Sequence, residues 1–510
     1  MSKRISRSLA LITVLTLGIA AVPAKQSAWW LAPQRASVSS GATRNAAIVA
    51  ATTEVLKETS EIRELRILKA VKSGAQSRTE IERMLIKNLN EQMTAGEMHA
   101  TEVTLRKFGL APVDFEYRPF IIKLLTEQVA GYYDPKVQEF HLADWLELEG
   151  QKPVMAHELT HALQDQHFNL RRFEKWPRGD SDAELAAHAL IEGDATLAMT
   201  LYMAKNPLVA LAFSRSLATG VATEQFNQAP RAMRESLIFP YLQGMEWAMQ
   251  LYKRGGWTMV SNAFTRLPLS SEQILHPEKY FNYERPIKIG LPDVSNLLKT
   301  ASESAVSKQQ TANSKQQPTG TAGGAGHAGR PVGVLDLPAS GAKASGRRRV
   351  ANRPLPTAHR PLPTDSWHRI DSDVNGEWNY YLILDQFLSA PAESKRAAAG
   401  WAGDRYALYE GPGGQIFLAQ LAVWDTENDA REFFDAYVKR TELRYPGATR
   451  LASSDLKLEF QKSESETRNI YSWTTSEGRV VVELRGLRVV ILEGVPQNLD
   501  VETLRELLWR

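Results

Sequence analysis

Val154-Met155-Ala156-His157-Glu158-Leu159-Thr160-His161-Ala162-Leu163-Gln164-Asp165-Gln166 follows Pro153 and reads as a single helix, and the rest of the chain is best read outward from it. Proline suits the first position of a helix, where its missing N–H costs nothing. Two histidines four residues apart stand about 40° apart around a helix, so both imidazoles leave one face and can hold one metal ion. Glu158 lies beside that site, where it can take a proton from a metal-activated water. Val154, Met155, Ala156, Leu159, Ala162 and Leu163 make the remaining surface apolar. A buried acid between two buried imidazoles needs partners, which a bound cation supplies. His157 and His161 are the candidate zinc ligands, and Glu158 is the candidate general base.

Two residues compete to be the third ligand. His167 stands six residues after His161, the spacing of the third histidine in metzincins. Those proteins need a glycine where this chain has Gln164. Without that breaker the helix continues and carries His167 about 240° round from His161, which makes it a helix-end residue. Glu192 is the better candidate. It sits in Ala189-Leu190-Ile191-Glu192-Gly193-Asp194-Ala195, the middle of an apolar helix, where an unpaired carboxylate would be costly. Gly193 weakens a helix by roughly 1 kcal/mol against alanine, which points to something packed closely there. Asp194 is turned about 200° from Glu192, so both cannot ligate from one face. In Asp180-Ser181-Asp182-Ala183-Glu184, Ser181 and Glu184 make a capping box that starts this second helix.

HELTHALQDQHF (157–168) followed by IEGDA (191–195) resembles the bacterial exported HExxH metallopeptidases of the gluzincin kind. EQVAGYYDP (127–135) and SSEQILHPEKYF (270–281) fit the same family, and the likeness spans residues 60–298 and 367–510. The resemblance implies a zincin-like fold with zinc held by His157, His161 and Glu192, Glu158 as general base, and a peptide or protein substrate. Thermolysin-like gluzincins orient a histidine with an Asp four residues after the ligand Glu. Thr196 stands there in this chain, and His188, one turn before Glu192, is an alternative orienter. The aminopeptidase GxMEN pattern is absent.

Around this centre, residues 45–109 read as helices, with Ile62, Leu65, Leu68 and Val71 at helical spacing. Pro119 opens a further helix to Val129, and residues 131–133 and 138–142 make two short strands about the turn Asp134-Pro135-Lys136. Tyr132 and Tyr133 then lie on a strand that an extended substrate could pair with. His276 is a candidate donor to the developing oxyanion, with Tyr280 beside it. The plainer reading of that segment is a Ser270–Gln273 capping box, with Pro277 starting the next helix.

Met1 to Ser8 carry three positive charges, Leu9 to Val22 are apolar, and Val22-Pro23-Ala24 offers a cleavage site. That is the layout of a secretory signal peptide over residues 1–24, so an exported, periplasmic or secreted protein is expected. Fourteen residues rise only about 21 Å as a helix, short of a span, and no later stretch is long enough to leave a transmembrane segment in the mature chain. Taking Lys3, Arg4 and Arg7 from the 61 basic residues leaves them equal in number to the 58 acidic ones, so nothing in the global charge suits nucleic acid. The chain has no cysteine, which excludes disulfides, thiolate metal sites and cysteine nucleophiles.

Residues 45–298 thus form the expected α-rich zincin-like domain. Residues 299–365, rich in Ser, Gln, Gly and Pro with ten Lys/Arg against three acids, read as a disordered basic linker. Residues 367–510 form a second unit of helices and antiparallel strands, giving an α+β protein overall. Cutting the linker is expected to leave two folded pieces. Zinc-dependent peptide hydrolysis is the reading that uses every one of these residues. The competing readings are an envelope binding or assembly protein organised by zinc, and a hydrolase of non-peptide cell-wall amides.

Overall fold

A computed structural model describes residues 41–176, 179–220, 224–303, 366–451 and 469–510. The expected signal peptide and nearly all of the expected linker lie outside these residues. Helix α1 (Gly41–Arg63) is followed by a strand, β1 (Lys72–Gln76), where helical spacing was expected. Lys-Ser-Gly-Ala-Gln carries no strand-forming side chain. It becomes a strand because it pairs in parallel with β3 (Glu139–Ala143), whose other edge takes β2 (Gly131–Asp134) antiparallel. Tertiary pairing thus overrides local propensity. Between β1 and β2 come α2 (Arg78–Gln92), α3 (Ala95–Phe108) and α4 (Tyr117–Gln128). Ser77 with Glu80 and Thr94 with Glu97 form capping boxes that satisfy the first free N–H groups of α2 and α3.

Three long helices form the centre: α5 (Lys152–Phe168), α6 (Ser181–Lys205) and α9 (Arg231–Ala263), with α7 (Pro207–Gly220) and α8 (Glu224–Gln228) between the last two. The start of α6 lies one residue from the expected cap: Asp180 accepts from the Ala183 N–H, and Ser181 instead binds Asp373 and Val374. The close neighbour of Gly193 is the backbone of α9. A Cβ on Gly193 would lie 2.2 Å from the Gly244 carbonyl group, and one on Gly244 would lie 2.2 Å from Ala189 O. Two glycines therefore let α6 and α9 cross with their backbones in contact, and the helix-weakening Gly193 is explained by that crossing. After α10 (Ser271–Leu275) and α11 (Pro277–Asn282), residues 295–303 form helix α12. The first five residues of the expected linker thus remain helical.

The C-terminal unit is a seven-stranded antiparallel sheet in the order β4-β5-β6-β10-β9-β8-β7. Its strands are β4 (His368–Asp373), β5 (Trp401–Glu410), β6 (Ile416–Trp424), β7 (Thr449–Arg450), β8 (Asn469–Thr475), β9 (Gly478–Arg485) and β10 (Arg488–Val495). Alternate residues of the central strands face opposite ways. Val489 and Ile491 meet the cluster that contains α13 (Gly376–Leu388) and α15 (Glu427–Arg444), while Val490 and Leu492 meet that of α12 and α16 (Val501–Trp509). Both faces are covered, which is why these strands read as near-continuous apolar runs. Helix α14 (Pro391–Ala398) follows α13. The fold is α+β.

The sequence boundary between the two units is not a boundary in the core. One hydrophobic cluster runs from Phe108 on α3 through Leu190 on α6 and Trp247 on α9 to Ile383, Phe433 and Ile491. Polar groups cross the same seam. Arg440 donates to Phe108 O at 2.7 Å and Arg444 to Lys107 O at 2.6 Å, so two cations from α15 cap the last carbonyls of α3. Among the described residues, no helix is long and apolar enough to cross a membrane.

Candidate metal centre

Helix α5 is buried along nearly its whole length, with Met155, Ala156, Leu159 and Leu163 packed into a cluster shared with α1 and β3. That burial leaves His157 and His161 facing α6, with their rings 4.8 Å apart and nearly perpendicular. Glu192 reaches the same point from α6. His157 Nε2 lies 3.1 Å from Glu192 Oε2 and 3.1 Å from His161 Nε2, and the third side, His161 Nε2 to Glu192 Oε2, is 3.3 Å. All three side chains are buried. A tetrahedral zinc with ligand bonds of ~2.0–2.1 Å sets its ligands about 3.3 Å apart, so the triangle has the dimensions of one face of such a site. Among the described residues this is the one group of three or more His, Cys or acidic side chains placed to hold a metal.

The hydrogen bonds behind His161 decide which of its nitrogens is free. Gln164 Nε2 donates to Ile191 O at 3.0 Å and to Asp194 Oδ2 at 2.9 Å, both of which can only accept. Its amide oxygen must therefore face His161, and His161 Nδ1–H donates to it at 2.8 Å. The Nε2 lone pair is left pointing at the carboxylate and at His157. Asp194 is held in turn by Arg63, whose Nε donates to Oδ1 at 2.5 Å and whose guanidinium lies over Trp257. Arg63, Asp194 and Gln164 are fully buried. Three lone-pair atoms converging away from water require a cation or a shared proton.

Without metal, the site holds charge unevenly. Burial pushes the His157 imidazole down to about 4. Burial acts against charge on His161 too, but the Glu192 carboxylate outweighs it and holds His161 up at about 9. Glu192 is likewise opposed by burial, yet the two imidazoles keep it well below the ordinary carboxylate range.

Glu158 is fully buried on α5, and its Oε2 accepts the Tyr133 N–H at 2.9 Å. Strand β2 thus spends a backbone donor on fixing this carboxylate. The tyrosine side chains are props: Tyr133 Oη donates to Asp165 Oδ2 at 3.0 Å, and Tyr132 Oη to Gln76 Oε1 at 2.8 Å. His167 ends α5 and its Nε2 meets Arg66 O at 2.8 Å, away from the triangle. His276 is also not brought to the triangle. It caps the junction of α10 and α11, its Nε2 lies 2.9 Å from Glu377 of α13, and that bond raises its pKa. Tyr280 is buried and donates to Arg266 O. Ser270 Oγ accepts the Gln273 N–H and α11 starts at Pro277, as the plainer reading of that segment expects, although the Gln273 side chain accepts from the Leu269 N–H and not from Ser270, so the box is only half formed.

A cavity of about 370 Å³ reaches Glu192. Leu105, Ile121, Leu125 and Leu185 are among the apolar side chains that line it, and His188 and Tyr241 border it beside the metal group. The Tyr241 ring lies 6.0 Å from that of His157. Neither His276 nor Tyr280 is in the lining. His188 therefore lines the cavity, and the residue that orients His161 is Gln164. Its signals in the sequence are a polar residue three places after His161 on a buried helix, and Asp194 in an apolar run.

A family model described as a domain of unknown function (DUF8575) matches residues 363–505. That is the C-terminal unit, and the triangle lies outside it. No curated protein and no solved structure matches the chain.

Proposed function

We propose that this protein is an exported zinc metallopeptidase of the gluzincin kind, with His157, His161 and Glu192 as the metal ligands. The observation that carries the reading is the triangle of donor atoms 3.1–3.3 Å apart, with Glu158 one residue from a ligand on the same helix. Zinc, when bound, supplies Lewis acidity that polarises a carbonyl and acidifies water. Glu158, held by the Tyr133 N–H, accepts a proton from the attacking water and returns it to the leaving amine. Gln164 keeps the His161 proton on Nδ1, and Asp194 and Arg63 keep Gln164 in that orientation. Tyr241, whose ring lies 6.0 Å from that of His157, and His188, one turn before Glu192, border the cavity and are the candidate side-chain donors to an oxyanion. The layout of residues 1–24 supports export.

Metal analysis of the purified chain, with cleavage profiling on an unbiased peptide library, tests the proposal. One zinc per chain is expected. Glu158→Gln should keep the metal and the melting temperature while cleavage falls by about 10²-fold or more. Near-normal turnover in that variant, or a folded zinc-loaded chain that cleaves nothing, refutes it.

A further inference from the structure

The cavity beside Glu192 is walled by both units of the chain. Helices α3, α4, α6 and α9 supply most of the lining, and α13 closes it with Asn379 and Leu382. Helix α13 lies within the stretch matched by the family of unknown function. Its place here follows from the shared core: the Phe239 ring of α9 packs at a tilt against Trp378, centroids 4.6 Å apart, one residue from Asn379. Ser271 Oγ also accepts the Trp378 N–H at 3.1 Å.

Against this mostly apolar lining stand a few polar groups. Asn379, Ser236 and His188 are half-buried, and among the described residues none has a hydrogen-bond partner for its side chain. The cavity therefore offers a hydroxyl, a carboxamide that both donates and accepts, and an imidazole, set in an aliphatic surround. That combination matches an uncharged peptide unit carrying a large apolar side chain. Two carboxylates also line the cavity, Glu184 and Glu192, and both are already engaged, so an acidic side chain would be repelled and a basic one would lose its water without gaining a free counter-charge. The volume is at the lower end of the ~300–1,000 Å³ typical of ligand sites, room for one bulky residue with its flanking backbone.

We propose that the C-terminal unit forms one wall of the substrate site, that Asn379 on α13 is a specificity-determining residue, and that the cavity takes a bulky apolar side chain of the peptide substrate. This rests on the metallopeptidase reading, so binding and turnover are measured separately.

The full-length, zinc-loaded Glu158→Gln chain is titrated with blocked peptides acetyl-Ala-X-Ala-amide, with X as Trp, Leu, Gly, Asp or Lys. The Trp and Leu peptides should bind about tenfold or more tighter than the other three. Asn379→Phe fills the cavity from the C-terminal side and should abolish that preference with zinc content unchanged. Leu237→Trp, which fills it from α9, should do the same, and Asn379→Asp carries the test if Asn379→Phe does not fold. Equal binding of all five peptides, or of none, overturns the proposal. So does retention of the preference in folded Asn379 and Leu237 variants. An apolar binding preference without turnover in the unsubstituted chain sinks the hydrolase reading but leaves the cavity assignment. Turnover indifferent to X does the reverse.

Discussion

Gln164→Met keeps the length of a buried side chain and removes its amide. Three hydrogen bonds go with it: the acceptor for His161 Nδ1–H and the donors to Ile191 O and Asp194 Oδ2. Stripping a buried polar group of its partner costs ~1–3 kcal/mol, and Asp194 keeps Arg63 on its other oxygen, so a loss of about 2–4 kcal/mol is expected in the metal-free chain. The effect on metal binding is separate. His161 no longer has a reason to keep its proton on Nδ1, and tautomers with Nε2 protonated cannot ligate. Loss of such a supporting bond lowers metal affinity 10–100-fold, equivalent to ~1.4–2.8 kcal/mol. Denaturant unfolding of the metal-free variant gives the first quantity, and competition for zinc with a coloured chelator gives the second. A folded variant that matches the parent in both would show that the Gln164 amide does not hold His161, and the reasoning would fail.

Zinc binding should release about one proton per chain at neutral pH, because His161 holds its proton up to about 9 and His157 loses its own only near 4. Apparent affinity should then fall about tenfold for each unit of pH below 9; calorimetry in two buffers of different ionisation enthalpy counts the proton, and a count of zero contradicts it. Gly244→Ala would set a Cβ 2.2 Å from Ala189 O, so α6 and α9 must separate at a cost of about 1–3 kcal/mol or more, with Glu192 displaced and zinc weakened. Unchanged melting and zinc affinity would refute the close crossing. A chain cut once within residues 304–365 should elute as one species in native buffer and keep its zinc, because both units share one core. Separation into two folded pieces on gel filtration would show that the seam is not a core.

The metal group was legible because its geometry is local: an i, i+4 pair on one apolar helix, and a carboxylate in the middle of another, each out of place without a partner. The close neighbour of Gly193 was also legible, as an anomaly, although its identity as Gly244 was not. The antiparallel strands of the C-terminal unit were legible where apolar residues run between turns, as in β6, β9 and β10, whereas β4 and β7 carry no such run. What escaped was set at a distance. Strand β1 has no propensity and exists through β3. Arg63 supports Asp194 across 131 residues, and nothing in its own neighbourhood marks it. His276 looked like a free donor because Glu377, which occupies it, lies 101 residues further on. The single core across both units was hidden by the composition of residues 299–365, which separates them in sequence and not in space.

Trp367 Nε1 donates to Ser302 Oγ at 2.9 Å across 65 residues, and Trp367 and Leu298 lie in the same apolar cluster. The end of α12 and the residue that leads into β4 are therefore fastened to each other, although 65 positions separate them in the sequence. The helix end and the first strand of the sheet share one anchor, so a change at Ser302 acts on both units at once.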